Sequence, residues 1–290
     1  MKELKIKLPH LDIAAKIWGD ESGIPVIACH GWLDNAASFD LVAPHLEGIY
    51  LIALDMAGHG RSEHRPKGSY YHLWEYSLDV IAIADYLGLD TFNLLGHSMG
   101  GSVCLFVAGT VPERVNKIIS IESLGPGNHE AIKSPKRLRG SVLDIDERPT
   151  KKVRSYESIA DAVISRAKGI NSMLTLSEQA AQIIVERGLT ENDQGKYSWR
   201  NDPRIRVRSP VQFTDDQVNA FLKNITATTR VILGEQGFHA FNPEHFTDRL
   251  RFIENAEITT FPGGHHLHIE STYKPVADYV RSFFTEASTR

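Results

Sequence analysis

The first eight residues, Met1-Lys2-Glu3-Leu4-Lys5-Ile6-Lys7-Leu8, alternate polar and apolar side chains. That period of two lays one face of a strand on a core. Together with Ile13 to Trp18 they predict an opening antiparallel pair. The continuous apolar run Pro25-Val26-Ile27-Ala28-Cys29 predicts a short buried strand, and a helix over Ser38 to Leu46 leads to another strand at Ile49 to Leu54. The period then widens. Leu73, Val80, Ile83 and Leu87 fall at helical spacing, and Gly88 ends that helix. Strands follow at Thr91 to Leu95 and Val115 to Ile121, separated by a helix that starts near Gly101 and stops before Pro112. Strand and helix in steady alternation predict a mostly parallel, eight-stranded sheet with helices on both faces.

After Glu122 the alternation stops. From Ser123 to about Thr226 no strand pattern is visible, and the stretch holds Gly125, Pro126, Gly127, Pro135 and Pro149. A basic run, Lys133, Lys136, Arg137 and Arg139, reads as a solvated face. Two capping boxes predict helices: Thr175-x-x-Glu178 ahead of Ala181, Ile184 and Val185, and Thr214-x-x-Gln217 ahead of Val218, Phe221, Leu222 and Ile225. The strand pattern resumes at Val231 to Leu233 and at Ala256 to Phe261, and a last amphipathic helix runs from Pro275 to Phe284. The chain thus divides into an α/β core, residues 1–122 and 227–290, and a helical cap, residues 123–226, inserted after the sixth strand.

The candidate chemistry begins where the fifth strand turns into its helix, at Gly96-His97-Ser98-Met99-Gly100. A strand, Gly-x-Ser-x-Gly and a helix are the context of a nucleophile elbow. Side chains two positions either side of the serine would collide with the neighbouring strand and helix, and the hydroxyl stands at the positive end of the helix. A serine hydroxyl is a poor nucleophile at neutral pH. It needs a base, a group to orient that base, and donors for the oxyanion.

The loop after the last strand, Phe261 to Glu270, carries three histidines. His265 directly follows the glycine pair and is assigned the base, with His266 as the alternative and His268 packing or hydrogen-bonding nearby. The His-x-x-His spacing lacks the carboxylate and cysteine set of a metal site, so no metal is expected. Two strand ends offer an orienting carboxylate: Glu122, after Val115 to Ile121, and Glu235, after Val231 to Leu233. The oxyanion donors are expected to be the backbone N–H groups of Met99, after the nucleophile, and of Trp32, in the loop His30-Gly31-Trp32-Leu33. Asp55-Met56-Ala57-Gly58-His59-Gly60-Arg61-Ser62 implies a tight loop that Asp55 fixes, with His59 structural.

Asp55-x-x-Gly58-x-Gly60-x-Ser62, the elbow, the His-Gly loop and the terminal histidine together resemble the α/β-hydrolase superfamily across essentially the whole chain. More narrowly, His30-Gly31-Trp32-Leu33-Asp34-Asn35-Ala36-Ala37-Ser38-Phe39-Asp40, Gly-His-Ser-x-Gly-Gly at Gly96 to Gly101, and a carboxylate after the sixth strand resemble the serine hydrolase-like (Kraken-type) branch. The segment Arg114 to Pro126 also resembles haloalkane dehalogenases that place a glutamate there. Those enzymes, like epoxide hydrolases, use an aspartate nucleophile, and Ser98 stands in its place here. In this fold the triad order is Ser, acid, His, and the usual acid position falls near Gly237, where there is no carboxylate. The resemblance therefore favours Glu122 over Glu235.

The expected function is a cofactor-independent serine hydrolase of small, mainly apolar carboxylic esters or thioesters, acting through an acyl-enzyme. Perhydrolysis, C–C bond hydrolysis and a slow-turnover ligand receptor are the alternatives on the same triad. Net charge is -4 over 290 residues, which leaves no footprint for nucleic acid or an anionic membrane. No apolar run approaches a membrane span and no signal-peptide core opens the chain, so the expectation is a cytoplasmic monomer or homodimer. Cys29 and Cys104 lie inside apolar segments and read as buried thiols.

Overall fold

In the computed structural model the described residues are 1–127, 129–147, 154–169 and 174–286; Pro149 lies outside them. The alternating N-terminus forms β1 (Lys2–Lys7), paired antiparallel with β2 (Asp12–Trp18). The apolar runs form β3 (Ile24–Cys29) and β4 (Ile49–Leu54). Helix α1 (Leu73–Tyr86), β5 (Phe92–His97), α2 (Met99–Thr110) and β6 (Val115–Ile121) continue the alternation. The segment after β6 contains α3 (Ser134–Glu147), β7 (Ser155–Tyr156), α4 (Ile159–Ala167), α5 (Glu178–Gly188), β8 (Leu189–Glu191), β9 (Tyr197–Trp199) and α6 (Asp215–Lys223). The chain closes with β10 (Thr228–Gly234), α7 (Phe238–Phe241), α8 (Pro243–Leu250), β11 (Ala256–Phe261) and α9 (Tyr273–Thr285).

Eight strands form one sheet in the order β1-β2-β4-β3-β5-β6-β10-β11. Only β1–β2 and β2–β4 pair antiparallel; the remaining neighbours are parallel. Central strands β3, β5 and β6 are buried on both faces, which is why they read as continuous apolar runs rather than alternations. One core layer holds α1 and α2, with Phe106, Val80 and Ile83 against the sheet; the other holds α9, with Val276, Val280 and Phe284. The parallel arrangement brings the carboxyl ends of β3, β5, β6 and β10 to one edge, where ligands bind in open α/β sheets.

Between β6 and β10, α4 and α5 build a cluster of their own around Ala162, Ala180, Ile184 and Val185, beside the antiparallel sheet β7-β9-β8. Helix α6 instead packs on α2: Phe221 meets Phe106 at 4.8 Å between ring centroids, and Val218 and Leu222 join the main core.

Several local expectations shift. The helix expected over Ser38 to Leu46 is two short 3-10 turns, Ala36–Phe39 and Ala43–His45. Pro44 lacks the N–H that a continuous α-helix would use, and Asn35 caps the first turn through its side chain. The helix expected from a Thr175 box is capped two residues later, where the Ser177 side chain accepts from Ala180 N–H. The Thr214–Gln217 box is present in full. Pro135 sits in the first turn of α3, a position proline tolerates. Of the basic run, Lys133 just before α3 and Lys136 and Arg139 on it are exposed as expected, whereas Arg137 is half-buried with its Nε out of solvent. Cys29 and Cys104 are free and buried. Among the described residues no helix is long and apolar enough to cross a membrane.

Candidate active site

Ser98 joins β5 to α2 with φ 52° and ψ -114°, outside the ordinary regions for an L-residue. Such a conformation costs roughly 1–3 kcal/mol and persists only where the surroundings impose it. The surroundings are close: the Ser98 amide donates to Ile121 C=O on β6 at 2.8 Å. A Cβ at Gly96 would overlap the Gly100 backbone, and one at Gly100 would overlap the Cys29 carbonyl of β3. The glycines are thus fixed by close approach on both sides of the serine.

Glu122 follows β6 and is also left-handed, at φ 57°. Its amide donates to Ile232 C=O at 2.8 Å. Its carboxylate is fully buried and accepts three groups: Gly234 N–H at 2.7 Å, Phe238 N–H at 2.7 Å, and His265 Nδ1 at 3.2 Å. A Cβ on Gly237 would fall on the Glu122 carboxylate. Gly237 itself has an ordinary φ of -84°, so glycine is there for space, not for conformation. Glu235 is exposed, and its amide bonds to Phe261 C=O.

The three histidines of the final loop have three different partners. His265 faces Glu122, His266 Nε2 lies 3.7 Å from Asp34 Oδ2, and His268 Nε2 meets Ser38 Oγ at 2.8 Å. Burial is the largest influence on His265 and lowers its pKa below the ordinary 6.5; the Glu122 contact opposes the shift without cancelling it. His265 is therefore neutral at pH 7, as a proton acceptor must be.

Two further residues, inside the motifs but without an expected role of their own, complete this cluster. His97 Nε2–H donates to the His265 carbonyl at 2.9 Å, so the residue before Ser98 holds the backbone of the histidine loop. Asp34 is buried and paired with Arg166 of α4 at 2.6 Å. Burial would raise the Asp34 pKa, but Arg166 and the imidazoles of His266 and His97 outweigh it and hold the group well below the usual carboxylate range. Ring nitrogens of His97, His265 and His266 lie within 4.8 Å of one another, a grouping of metal-ligand type that the His-x-x-His spacing did not foretell. Two of their ring nitrogens are already engaged, His265 Nδ1 by Glu122 and His97 Nε2 by the His265 carbonyl.

The loop after β3 is locked by His30. Its Nε2 accepts from Met56 N–H at 3.0 Å, which leaves Nδ1–H to donate to Gly31 C=O at 2.7 Å. Trp32 follows, and its indole N–H donates to Ile205 C=O at 3.1 Å. Leu33 adopts φ 68° at the turn. Met99 is the first residue of α2, where helix geometry leaves the amide without an intrahelical acceptor. Asp55 fixes its own loop through Arg61 N–H (2.8 Å), and also ties in Ala36 N–H (2.7 Å) and Arg187 of α5 (2.9 Å).

Ser98, His265, Trp32 and Phe238 open on a common cavity of about 610 Å³. Its far wall comes from the segment after β6, including Tyr156, Arg166 and Trp199. Of the five residues singled out as site candidates, Ser98, His265 and Trp32 line the cavity and Glu122 backs it through His265. Met99 stands beside Ser98 at the start of α2.

Burial of several imidazoles has a thermodynamic consequence. It lowers His30 to about 4 and His59 and His268 to about 3. These side chains stay neutral in the fold but take up protons in the unfolded chain below pH 6.5. The unfolded state then binds more protons, so stability is full above that pH and is lost on acidification, at up to ~1.4 kcal/mol per pH unit per histidine and ~4 for the three together. Urea midpoints should fall steeply from pH 6.5 to pH 4.5; a flat profile would contradict the neutral, buried assignment.

Residues 24–272 match the family model of the alpha/beta hydrolase fold. A probable serine hydrolase from Drosophila melanogaster is 30% identical over 99% of this chain and 88% of its own length. A serine hydrolase-like protein from Dictyostelium discoideum is 31% identical over 95% of this chain and 79% of its own. Among solved structures, a hypothetical protein from Pseudomonas aeruginosa PAO1 superposes with a TM-score of 0.93 at 38% identity, covering 99% of this chain and 100% of that one. A thioesterase domain from the curacin biosynthetic pathway shares the fold at a TM-score of 0.81 and 24% identity, over 99% of each chain. With the family match spanning most of the chain and relatives aligned nearly end to end, the protein belongs to the α/β-hydrolase superfamily, in its serine hydrolase-like branch.

Proposed function

We propose that the protein hydrolyses carboxylic esters or thioesters through a Ser98–His265–Glu122 triad and an acyl-enzyme. The observation that carries the reading is the His265–Glu122 contact at 3.2 Å, in which a carboxylate already anchored by two backbone amides meets the ring of a neutral histidine on the Ser98 cavity. His265 takes the Ser98 proton as the hydroxyl oxygen attacks the acyl carbon. Glu122 accepts His265 Nδ1–H, fixes the tautomer and stabilises the imidazolium. The amides of Met99 and Trp32 receive the oxyanion. His265 then protonates the leaving alcohol or thiol, and takes a proton from the water that releases the acid.

Residues 123–226 act as a cap that roofs the cavity and selects the substrate. Arg166 on α4 joins this cap to the β3 loop through Asp34, and Arg187 on α5 joins it to Asp55.

The test is hydrolysis of p-nitrophenyl esters of graded acyl length by purified protein, with fluorophosphonate labelling mapped by peptide mass spectrometry. Saturable turnover with the label on Ser98 is the expected result. A folded protein that takes no label and turns over none of the esters would overturn the reading.

A further inference from the structure

We propose that His97, His265, His266 and Asp34 form a binding site for one divalent transition-metal ion of the zinc type, and that the bound ion inhibits hydrolysis by occupying the lone pair of His265. The site stands on geometry, and its inhibitory effect rests on the hydrolase reading. The four side chains are buried, and all four line the Ser98 cavity, which gives an ion its way in. His97 Nε2–H donates to the His265 carbonyl at 2.9 Å, so His97 Nδ1 carries a lone pair. Burial, together with the neighbouring imidazoles, holds His97 well below its ordinary pKa and keeps a second proton off the ring. That lone pair faces Asp34 Oδ2 across 3.8 Å. Among the described residues neither atom has a hydrogen-bond partner. Two buried acceptors facing each other cost free energy unless a donor or a cation stands between them. Glycine at 31 leaves the space open: a Cβ there would stand 2.7 Å from His97 Nδ1 and 3.2 Å from Asp34 Oδ2. A bridging water would answer these two atoms. A cation answers them and also gathers the imidazoles of His265 and His266.

The spacing is close to that of a coordination shell. His266 Nε2 lies 3.7 Å from Asp34 Oδ2, too far for a hydrogen bond, and the three histidines bring ring nitrogens within 4.8 Å of one another. Bonds of 2.0–2.2 Å in a tetrahedron set ligand atoms about 3.4 Å apart, so the Asp34 contacts must shorten by about 0.3–0.4 Å while the rings turn inward. The outer partners are also in place. Glu122 holds His265 Nδ1–H and leaves Nε2 for the ion, and the His265 carbonyl holds His97 Nε2–H. Metal-bound histidines give their second N–H to such carboxylates and carbonyls, which fixes the ring and raises its basicity. Arg166 takes Asp34 Oδ1 at 2.6 Å and leaves Oδ2 free. Asp34 and Glu122 balance the two charges of the ion, while Arg166 opposes it and moderates the affinity. Three imidazoles and one carboxylate suit Zn²⁺ or Co²⁺, whereas Mg²⁺ and Ca²⁺ require mostly oxygen ligands.

The experiment reads binding and inhibition separately. Binding is followed by calorimetry of Zn²⁺ on Ser98→Ala and by the visible absorption of added Co²⁺, neither of which needs turnover. Inhibition is the ratio of kcat/KM for a p-nitrophenyl ester without and with Zn²⁺, with Mg²⁺ as the control ion and EDTA as the reversal. The expected result is one ion per chain and a tetrahedral Co²⁺ spectrum. Saturating Zn²⁺ should lower kcat/KM by at least about 10²-fold, the share a general base supplies, with no effect of Mg²⁺ and full recovery on chelation. His266→Gln and Asp34→Asn should each weaken Zn²⁺ binding by about tenfold or more and move inhibition to higher Zn²⁺ by the same factor. The ratio taken within each variant cancels any change in its basal rate. His266→Gln keeps the Asp34–Arg166 pair and stays decisive should Asp34→Asn disturb the fold. No Zn²⁺ bound by Ser98→Ala, the outcome of a bridging water only, would overturn the proposal while leaving hydrolysis by Ser98 intact. So would binding that neither substitution weakens, which belongs to other histidines, or Zn²⁺ held by these residues with hydrolysis undiminished. Zn²⁺ binding that depends on His266 and Asp34, in a protein that hydrolyses nothing, would uphold the metal site and sink the hydrolase reading.

Discussion

Ser98→Ala is expected to lose on the order of 10⁶ in kcat for its best ester while folding normally, leaving only the residual ~10³–10⁴-fold advantage over water that binding and oxyanion donors supply. In the proposed mechanism the hydroxyl makes the acyl bond, and the nearest serine does not replace it: Ser102 lies a helical turn away, hydrogen-bonded to Ser123 at 2.9 Å. Alanine also fits the space, because the tight contacts of the elbow fall on Gly96 and Gly100 rather than on the serine. His265→Ala should fall as far, and the double variant no further, because base and nucleophile act in one step. His266→Ala should lose far less, since its ring nitrogen faces Asp34 at 3.7 Å and not Glu122. Steady-state kinetics on the four proteins, with circular dichroism as the folding control, checks all of this. Hydrolysis retained in Ser98→Ala, or a His266→Ala loss equal to that of His265→Ala, would dismantle the assignment.

The parts legible in the sequence are those whose cause is local. A strand buried on both faces must be apolar throughout, so β3, β4 and β5 stand out as runs. A nucleophile elbow must have small residues where the backbones meet, so Gly96 and Gly100 mark Ser98 without help from the rest of the chain. Glu122 and Glu235 were both legible as carboxylates after strands whose carboxyl ends reach the same sheet edge; the contact that separates them, Glu122 to His265, is made 143 residues along the chain. What stayed hidden depends on partners far along the chain. Asp34 and His97 fall inside the quoted motifs, yet nothing local gives them a role: those roles exist only because Arg166, 132 residues beyond Asp34, and the carbonyl of His265, 168 residues beyond His97, fold against them. Strands β7, β8 and β9 run two or three residues each, too short for a period to register.

Moving the acid from position 122 to position 237 should restore part of the activity that removing Glu122 destroys. Glu122→Gln comes first: it is expected to lose up to ~10⁴ in kcat, because an amide cannot stabilise the imidazolium and holds the tautomer poorly. It also turns an NH₂ group towards Gly234 N–H or Phe238 N–H, each now 2.7 Å from a carboxylate oxygen, at a cost of about 1–3 kcal/mol in stability. The pH profile carries a sign. Burial lowers the His265 pKa and Glu122 raises it, so loss of the carboxylate moves the acid limb of kcat/KM further below 6.5 even as the plateau drops. The relocation rests on space. The Glu122 carboxylate occupies the volume that a side chain at Gly237 would enter, and the backbone at 237 is acceptable to aspartate, with φ -84°. Glycine at 122 in turn suits the left-handed φ of 57°. Glu122→Gly should therefore be nearly inactive yet folded, and Gly237→Asp alone should be destabilised by two carboxylates in one site. Glu122→Gly/Gly237→Asp should recover at least about tenfold over Glu122→Gly, as His265 regains a charged partner worth several kcal/mol in the transition state. Kinetics of the three variants decide it: a double variant no faster than Glu122→Gly, in folded protein, would show that the carboxylate at 122 does something other than orient and stabilise His265.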